Sequence, residues 1–110
     1  KKIVIIDNYV DKTILDMLTK KRGKVEVVII TSTNNKKIQN IDIKKFNIQY
    51  PTIKFARKDL FHDRFIIIDN QELYHCGASI KDLGKKCFGI NKIEDKKYLE
   101  EIVKIILCVN

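Results

Sequence analysis

The chain has 110 residues, 45% of them hydrophobic and 33% charged, which suits a globular domain with one core and leaves no room for two. No run approaches the roughly 18 uninterrupted apolar residues of a membrane span, and no signal-peptide h-region follows the basic start, so a cytoplasmic protein with no membrane partner is expected. The net charge of +8 suits a polyanionic partner such as nucleic acid, although lysine pairs such as Lys36-Lys37 and Lys44-Lys45 suit a solvated surface equally well.

Lys2 to Ile6 is a short apolar run ending in Asp7, the pattern of a buried parallel strand. Asp11-Lys12-Thr13 opens a helix whose Ile14, Leu15 and Leu18 share a face, with Gly23 placed to close it. Val25 to Thr31 reads as a second buried strand. Ser32 to Asn35 forms a loop and N-cap for a helix over Lys36 to Phe46, which Tyr50-Pro51 stops. Thr52 to Ala56 is the third strand and Phe61 to Asp69 the fourth. Asn70-Gln71 turns the chain into Glu72 to Cys76, making a hairpin. Gly77 to Gly84 is a polar turn or short helix, and Cys87 to Ile93 a sixth strand. Tyr98, Leu99, Ile102, Val103 and Ile106 give an amphipathic helix from about Lys96 to Leu107. The order β-α-β-α-β-β-β-β-α predicts an α/β fold, a mixed β-sheet flanked by helices on both faces. Residues 1–110 read as one domain, and the start on a strand without Met suggests a fragment of a longer protein.

Cys76, Cys87 and Cys108 are odd in number and widely spaced, so they read as small buried hydrophobes. Neither a disulfide nor a metal site is expected.

The chemistry concentrates in Phe61-His62-Asp63-Arg64-Phe65-Ile66-Ile67-Ile68-Asp69 and the following Gly77-Ala78-Ser79. Strand alternation sends His62, Arg64, Ile66 and Ile68 to one face and Asp63, Phe65, Ile67 and Asp69 to the other. An imidazole beside a guanidinium offers a nucleophile or proton shuttle next to a phosphate clamp. By alternation Asp69 reaches His62 only if the strand bends, and capping the turn is an equal role for it. Asp7 and Tyr9 fall just past the first strand, where open α/β sheets place ligand groups; Asp7 could equally cap the following loop. Ser79 and Lys81 can touch a phosphate through hydroxyl and ammonium. His75 could lie near His62 across the hairpin or simply pack on its strand.

The spacing H-x-R-x-x-x-x-D resembles the H-x-K-x-x-x-x-D signature of the phospholipase D superfamily. With Leu73 to Ser79 and Lys81 to Lys86 added, the chain is similar to the C-terminal phospholipase D-like domain of bacterial and phage antirepressor-like proteins, whose N-terminal part is a separate DNA-binding module. The resemblance implies His62 as phosphate-attacking nucleophile, Arg64 as the phosphate holder, Asp69 in support, and a chemistry that needs no metal or other cofactor. Arg64 stands where the family has Lys, no Asn follows Ser79 at the family's spacing, and seven residues rather than six separate Asp69 from Gly77. An Arg fork does not sit as an ammonium does, so phosphate binding survives these departures better than catalysis. Family catalysis uses two motif copies, one His attacking phosphorus and the other protonating the leaving group. With one copy, an active enzyme requires a homodimer that brings two His62 side chains together. The expected function is a phosphate-binding module of a DNA-binding protein. The rivals are an active metal-independent phosphodiesterase of nuclease type and a structural dimerisation module.

Overall fold

The computed structural model describes residues 1–20, 24–50, 53–59, 63–77 and 89–107. Two runs rich in Ile and Val become the parallel strands β1 (Lys2–Ile6) and β2 (Glu26–Thr31), and the edge strand β3 (Ile53–Arg57), which holds one Ile and no Val, lies parallel to β2. Runs rich in Ile and Val suit strands that are buried on both faces. Helices α1 (Thr13–Leu18) and α2 (Asn40–Gln49) make the two crossovers. Then β4 (Arg64–Ile68), β5 (Glu72–Cys76) and β6 (Ile90–Ile93) form an antiparallel meander, followed by α3 (Lys96–Leu107). The six-stranded sheet has the order β3-β2-β1-β4-β5-β6, with β1 and β4 antiparallel.

The chain therefore steps outward from β1 to β3, then jumps back to open the other half of the sheet beside β1. Two successive crossovers in one direction, of the same hand by the general rule, place α1 and α2 on the same face. There Ile14, Leu15, Ile43 and Phe46 pack with Ile5, Val27 and Ile29. On the opposite face Leu99, Ile102 and Ile106 of α3 cover Val4, Ile6, Ile30, Phe65 and Ile67. A mixed α/β sheet with helices on both faces is thus what the element order anticipated.

The limits of β1, β5 and α3 are those read from the sequence, and the remaining differences have local causes. The helix placed at Lys36 to Phe46 starts at Asn40 and runs to Gln49. Asn35 does not cap it: the Asn35 amide donates to the Val10 carbonyl and to Thr31 Oγ1, at 2.7 and 2.9 Å. The buried Ile38 then enters the core before the helix begins. Gln39 caps the helix instead, its N–H donating to the Asp42 carboxylate at 2.9 Å in a reciprocal capping box. The hairpin turn sits one residue earlier than expected. Asp69 and Asn70 carry it with φ of 54° and 56°, a left-handed pair that Asn and Asp tolerate better than other side chains. Asp95 caps α3 by accepting from the Lys97 and Tyr98 N–H groups. Gly23, Pro51, Thr52, Phe61, Cys87 and the segment expected to turn after Gly77 lie outside the described residues. No helix among the described residues is long and apolar enough to cross a membrane.

Past the ends of β2 and β3, two loops are joined through Asp59, whose carboxylate accepts from Ser32 Oγ, Thr33 Oγ1 and the Thr33 N–H. The Thr33 hydroxyl, then that of Ser32, then the Thr33 N–H favour the ionised form and hold its pKa below the ordinary carboxylate value. A depressed folded-state pKa stabilises the fold above the unfolded-state value and loses that effect as pH falls through the folded one. Asp59→Asn is therefore expected to lower the thermal midpoint at neutral pH, with the gap from the parent protein closing in acid, below about pH 4. Melting curves across pH check this; a gap that persists unchanged in acid contradicts it.

Candidate phosphate site at the sheet switch point

In open α/β sheets, ligand crevices form outside the carboxyl ends of strands where the strand order reverses. Here that point lies between β1 and β4. Ile6 pairs with Phe65, so the next position along brings Asp7 opposite Arg64, and Arg64 pairs in turn with Cys76 of β5. All three side chains emerge on the α1/α2 face of the sheet, on which Ile5 and Ile66 also pack.

Asp7 is completely buried, and Arg64 Nε lies 3.9 Å from its Oδ1, an ion-pair distance too long for a hydrogen bond. The Arg64 guanidinium sits 5.2 Å from the centre of the Tyr9 ring, within cation–π range. Among the described residues Arg64 Nε is buried and finds no hydrogen-bond acceptor. Arg57, at the end of β3, is the opposite case: its two terminal nitrogens donate to the Asn35 and Ile38 carbonyls, each at 2.5 Å. One guanidinium is consumed by the backbone. The other is held in place by charge and an aromatic face, with donors to spare.

Below it, burial first and the Asp7 carboxylate second push the Cys76 thiol pKa upward, while Arg64 opposes them. Cys76 is therefore a protonated filler under the site and not a nucleophile. Sequence reasoning took it for a core residue and missed its place beneath Arg64; the signal was Cys76 being the hairpin partner of Arg64. Asn35 was also missed as a brace. Its bond to the Val10 carbonyl fixes the far end of the segment that carries Asp7 and Tyr9.

Of the residues singled out in the sequence, Asp7, Tyr9 and Arg64 come together. His75 does not join them. It pairs with Phe65, one position off Arg64, so alternation sends it to the α3 face. There it packs edge-on to Phe65 with ring centres 5.6 Å apart, and its Nε2 lies 3.6 Å from the Asp63 carboxylate. Grouping His75 with Asp7 and Tyr9 in one pocket is corrected accordingly. Asp69 stands at the other end of β4, about 16 Å of strand from Arg64. Its carboxylate accepts from the Lys2 N–H and its own N–H donates to the Lys2 carbonyl, both at 2.8 Å. That position fits a role in fastening β1 to the hairpin. His62, Ser79 and Lys81 lie outside the described residues. The described residues hold no cluster of His, Cys, Asp and Glu able to bind a metal.

No protein-family model and no curated protein sequence matches the chain. Solved structures do. Nuc from Salmonella typhimurium, a phospholipase D family member, superposes with a TM-score of 0.64 at 20% identity, over 99% of this chain and 77% of that one. NucT from Helicobacter pylori gives a TM-score of 0.63 at 12% identity, over 98% and 77%. TrmBL2, an archaeal chromatin protein with a novel mode of DNA binding, gives 0.52 at 16% identity, over 94% of this chain and 41% of that one. At these identities the likeness is one of fold. The chain shares its α/β fold with these structures, Nuc of the phospholipase D family among them.

Asp7 carries the geometry of the site, since it receives the Tyr9 N–H at 2.9 Å and faces Arg64. Asp7→Ala is expected to destabilise the protein by about 1–3 kcal/mol, because it strips partners from buried donors. Urea denaturation with an unchanged slope measures this; an unshifted midpoint contradicts it.

Proposed function

We propose that this chain is a phosphodiester-binding module of a DNA-binding or antirepressor-like protein, in which a degenerate H-x-R-x-x-x-x-D motif binds without efficient hydrolysis. One observation carries this reading. Arg64 stands at the switch point of a phospholipase D-like sheet, oriented by Asp7 and Tyr9 yet not tied to backbone carbonyls as Arg57 is. A guanidinium so placed can grip a phosphate through two parallel N–H bonds. The charge of +8 favours a polyanion over an isolated anion. The likeness to under half of the chromatin protein TrmBL2 supports a domain that works within a longer DNA-binding chain.

The likeness to Nuc, a phospholipase D family member, favours one alternative: an active metal-independent nuclease. In that reading His62 attacks phosphorus, the P–O bond to the leaving group breaks, and His62 of the partner subunit protonates the departing oxygen. Arg64 clamps the phosphate, with Ser79 and Lys81 beside it. The homodimer is then a requirement of the chemistry.

Two departures bear on the choice, Arg64 in the place of Lys and the missing Asn after Ser79. Misplacing one preorganised donor typically costs about a hundred- to a thousand-fold in rate. Metal-free assays on DNA and on a chromogenic phosphodiester are therefore expected to show activity near background. DNA binding is expected to weaken log-linearly with salt and to show little sequence preference. Robust cleavage that is abolished by His62→Ala, with the fold and dimer intact, selects the nuclease. Binding that ignores salt removes the polyanion reading altogether.

A further inference from the structure

Tyr9 is left half in solvent, at 51% exposure, between two fully buried residues, Asp7 and Val10, that are separated from it by at most one position. That pattern has a mechanical cause. The Asp7 N–H donates to the Ile30 carbonyl at 3.0 Å, and the Asp7 carboxylate receives the Tyr9 N–H. Three residues on, the Val10 carbonyl accepts from buried Asn35 at 2.7 Å. The segment is pinned at both ends, so the ring is presented outward on a rigid support. Arg64 covers part of it from 5.2 Å, and orienting Arg64 needs no exposed aromatic surface beyond that contact. A rigid, half-exposed ring beside a phosphate-gripping guanidinium is the pairing with which proteins hold single strands, one group for the backbone and one for a base.

We propose that Tyr9 is a base-stacking subsite flanking Arg64, so that the site takes a nucleotide unit of a single-stranded nucleic acid: phosphate on Arg64, adjacent base on the Tyr9 ring. The inference rests on the phosphate-binding reading of Arg64. It adds a strand preference, because in a duplex the bases stack on one another and cannot lie on a protein ring. It adds little base preference, since every base has a π-face.

The test compares three fluorescently labelled probes of equal length at low salt: oligothymidylate, the abasic deoxyribose-phosphate oligomer, and a duplex. The parent chain is expected to bind oligothymidylate more tightly than the other two. Tyr9→Ala is expected to weaken oligothymidylate binding about ten-fold more than it weakens binding of the abasic probe, whose smaller loss reflects the contact between Tyr9 and Arg64; Tyr9→Phe retains the affinity. Equal losses on both probes would mean that Tyr9 only positions Arg64, and no loss on either would mean that it is idle; each result overturns the proposal. Should Tyr9→Ala fail to fold, Tyr9→Trp serves instead. The chain has no tryptophan, so the new indole reports alone. It should be quenched by oligothymidylate and not by the abasic probe, and an indole indifferent to saturating oligothymidylate overturns the proposal. Failure of the underlying reading looks different: Arg64→Ala would then leave the binding of both probes unchanged.

Discussion

The structure depends on β1 being paired on both sides at once, parallel to β2 and antiparallel to β4. Both partners are needed because Ile3 to Ile6 are apolar on both faces and can be buried only in the middle of a sheet. Once β1 is central, the chain must fill one side and return to fill the other, and that return creates the switch point. The same antiparallel pairing that buries Ile6 against Phe65 sets Asp7 opposite Arg64. The site is thus a by-product of register. Shifting β4 by one residue would send Arg64 to the α3 face and put Phe65 beneath Tyr9.

Both ends of the β1–β4 pair carry an aspartate, and the two have divided the available roles. Asp69 closes the turn end by exchanging hydrogen bonds with Lys2, in a left-handed conformation that suits its short side chain. Asp7 at the other end is buried beside an arginine and shapes the segment that presents Tyr9. A buried carboxylate beside a cation is tolerable because each offsets the other's desolvation. Arg64 is therefore fixed in direction without being exhausted as a donor.

Much of this was legible in the sequence because the signals were strong and local. Continuous Ile/Val runs flanked by polar turns marked β1, β2 and β4, and the i, i+3, i+7 stripe of Leu99, Ile102 and Ile106 marked α3. The site was half legible. Asp7 and Tyr9 followed from the rule about strand ends, and Arg64 from the motif. What failed did so for a tertiary reason. Asn35 looks like a helix cap in sequence, but long-range bonds to Val10 and Thr31 claimed its side chain, and the helix began later under Gln39. His75 sits close to the motif in sequence, yet pairing with Phe65 instead of Arg64 put a sheet between it and the site.

The most direct test of the account is whether the Arg64 guanidinium takes a phosphodiester. The chain holds only Arg22, Arg57 and Arg64, so the Nε–H region of a nitrogen–proton correlation spectrum contains three arginine signals, and Arg64→Lys identifies the relevant one. On titration with a dinucleoside monophosphate, the account predicts a saturable shift of the Arg64 Nε–H signal while the Arg57 signal, fixed on two carbonyls, stays where it is. An Arg64 signal that does not move at ligand concentrations that shift lysine resonances across the surface would contradict it.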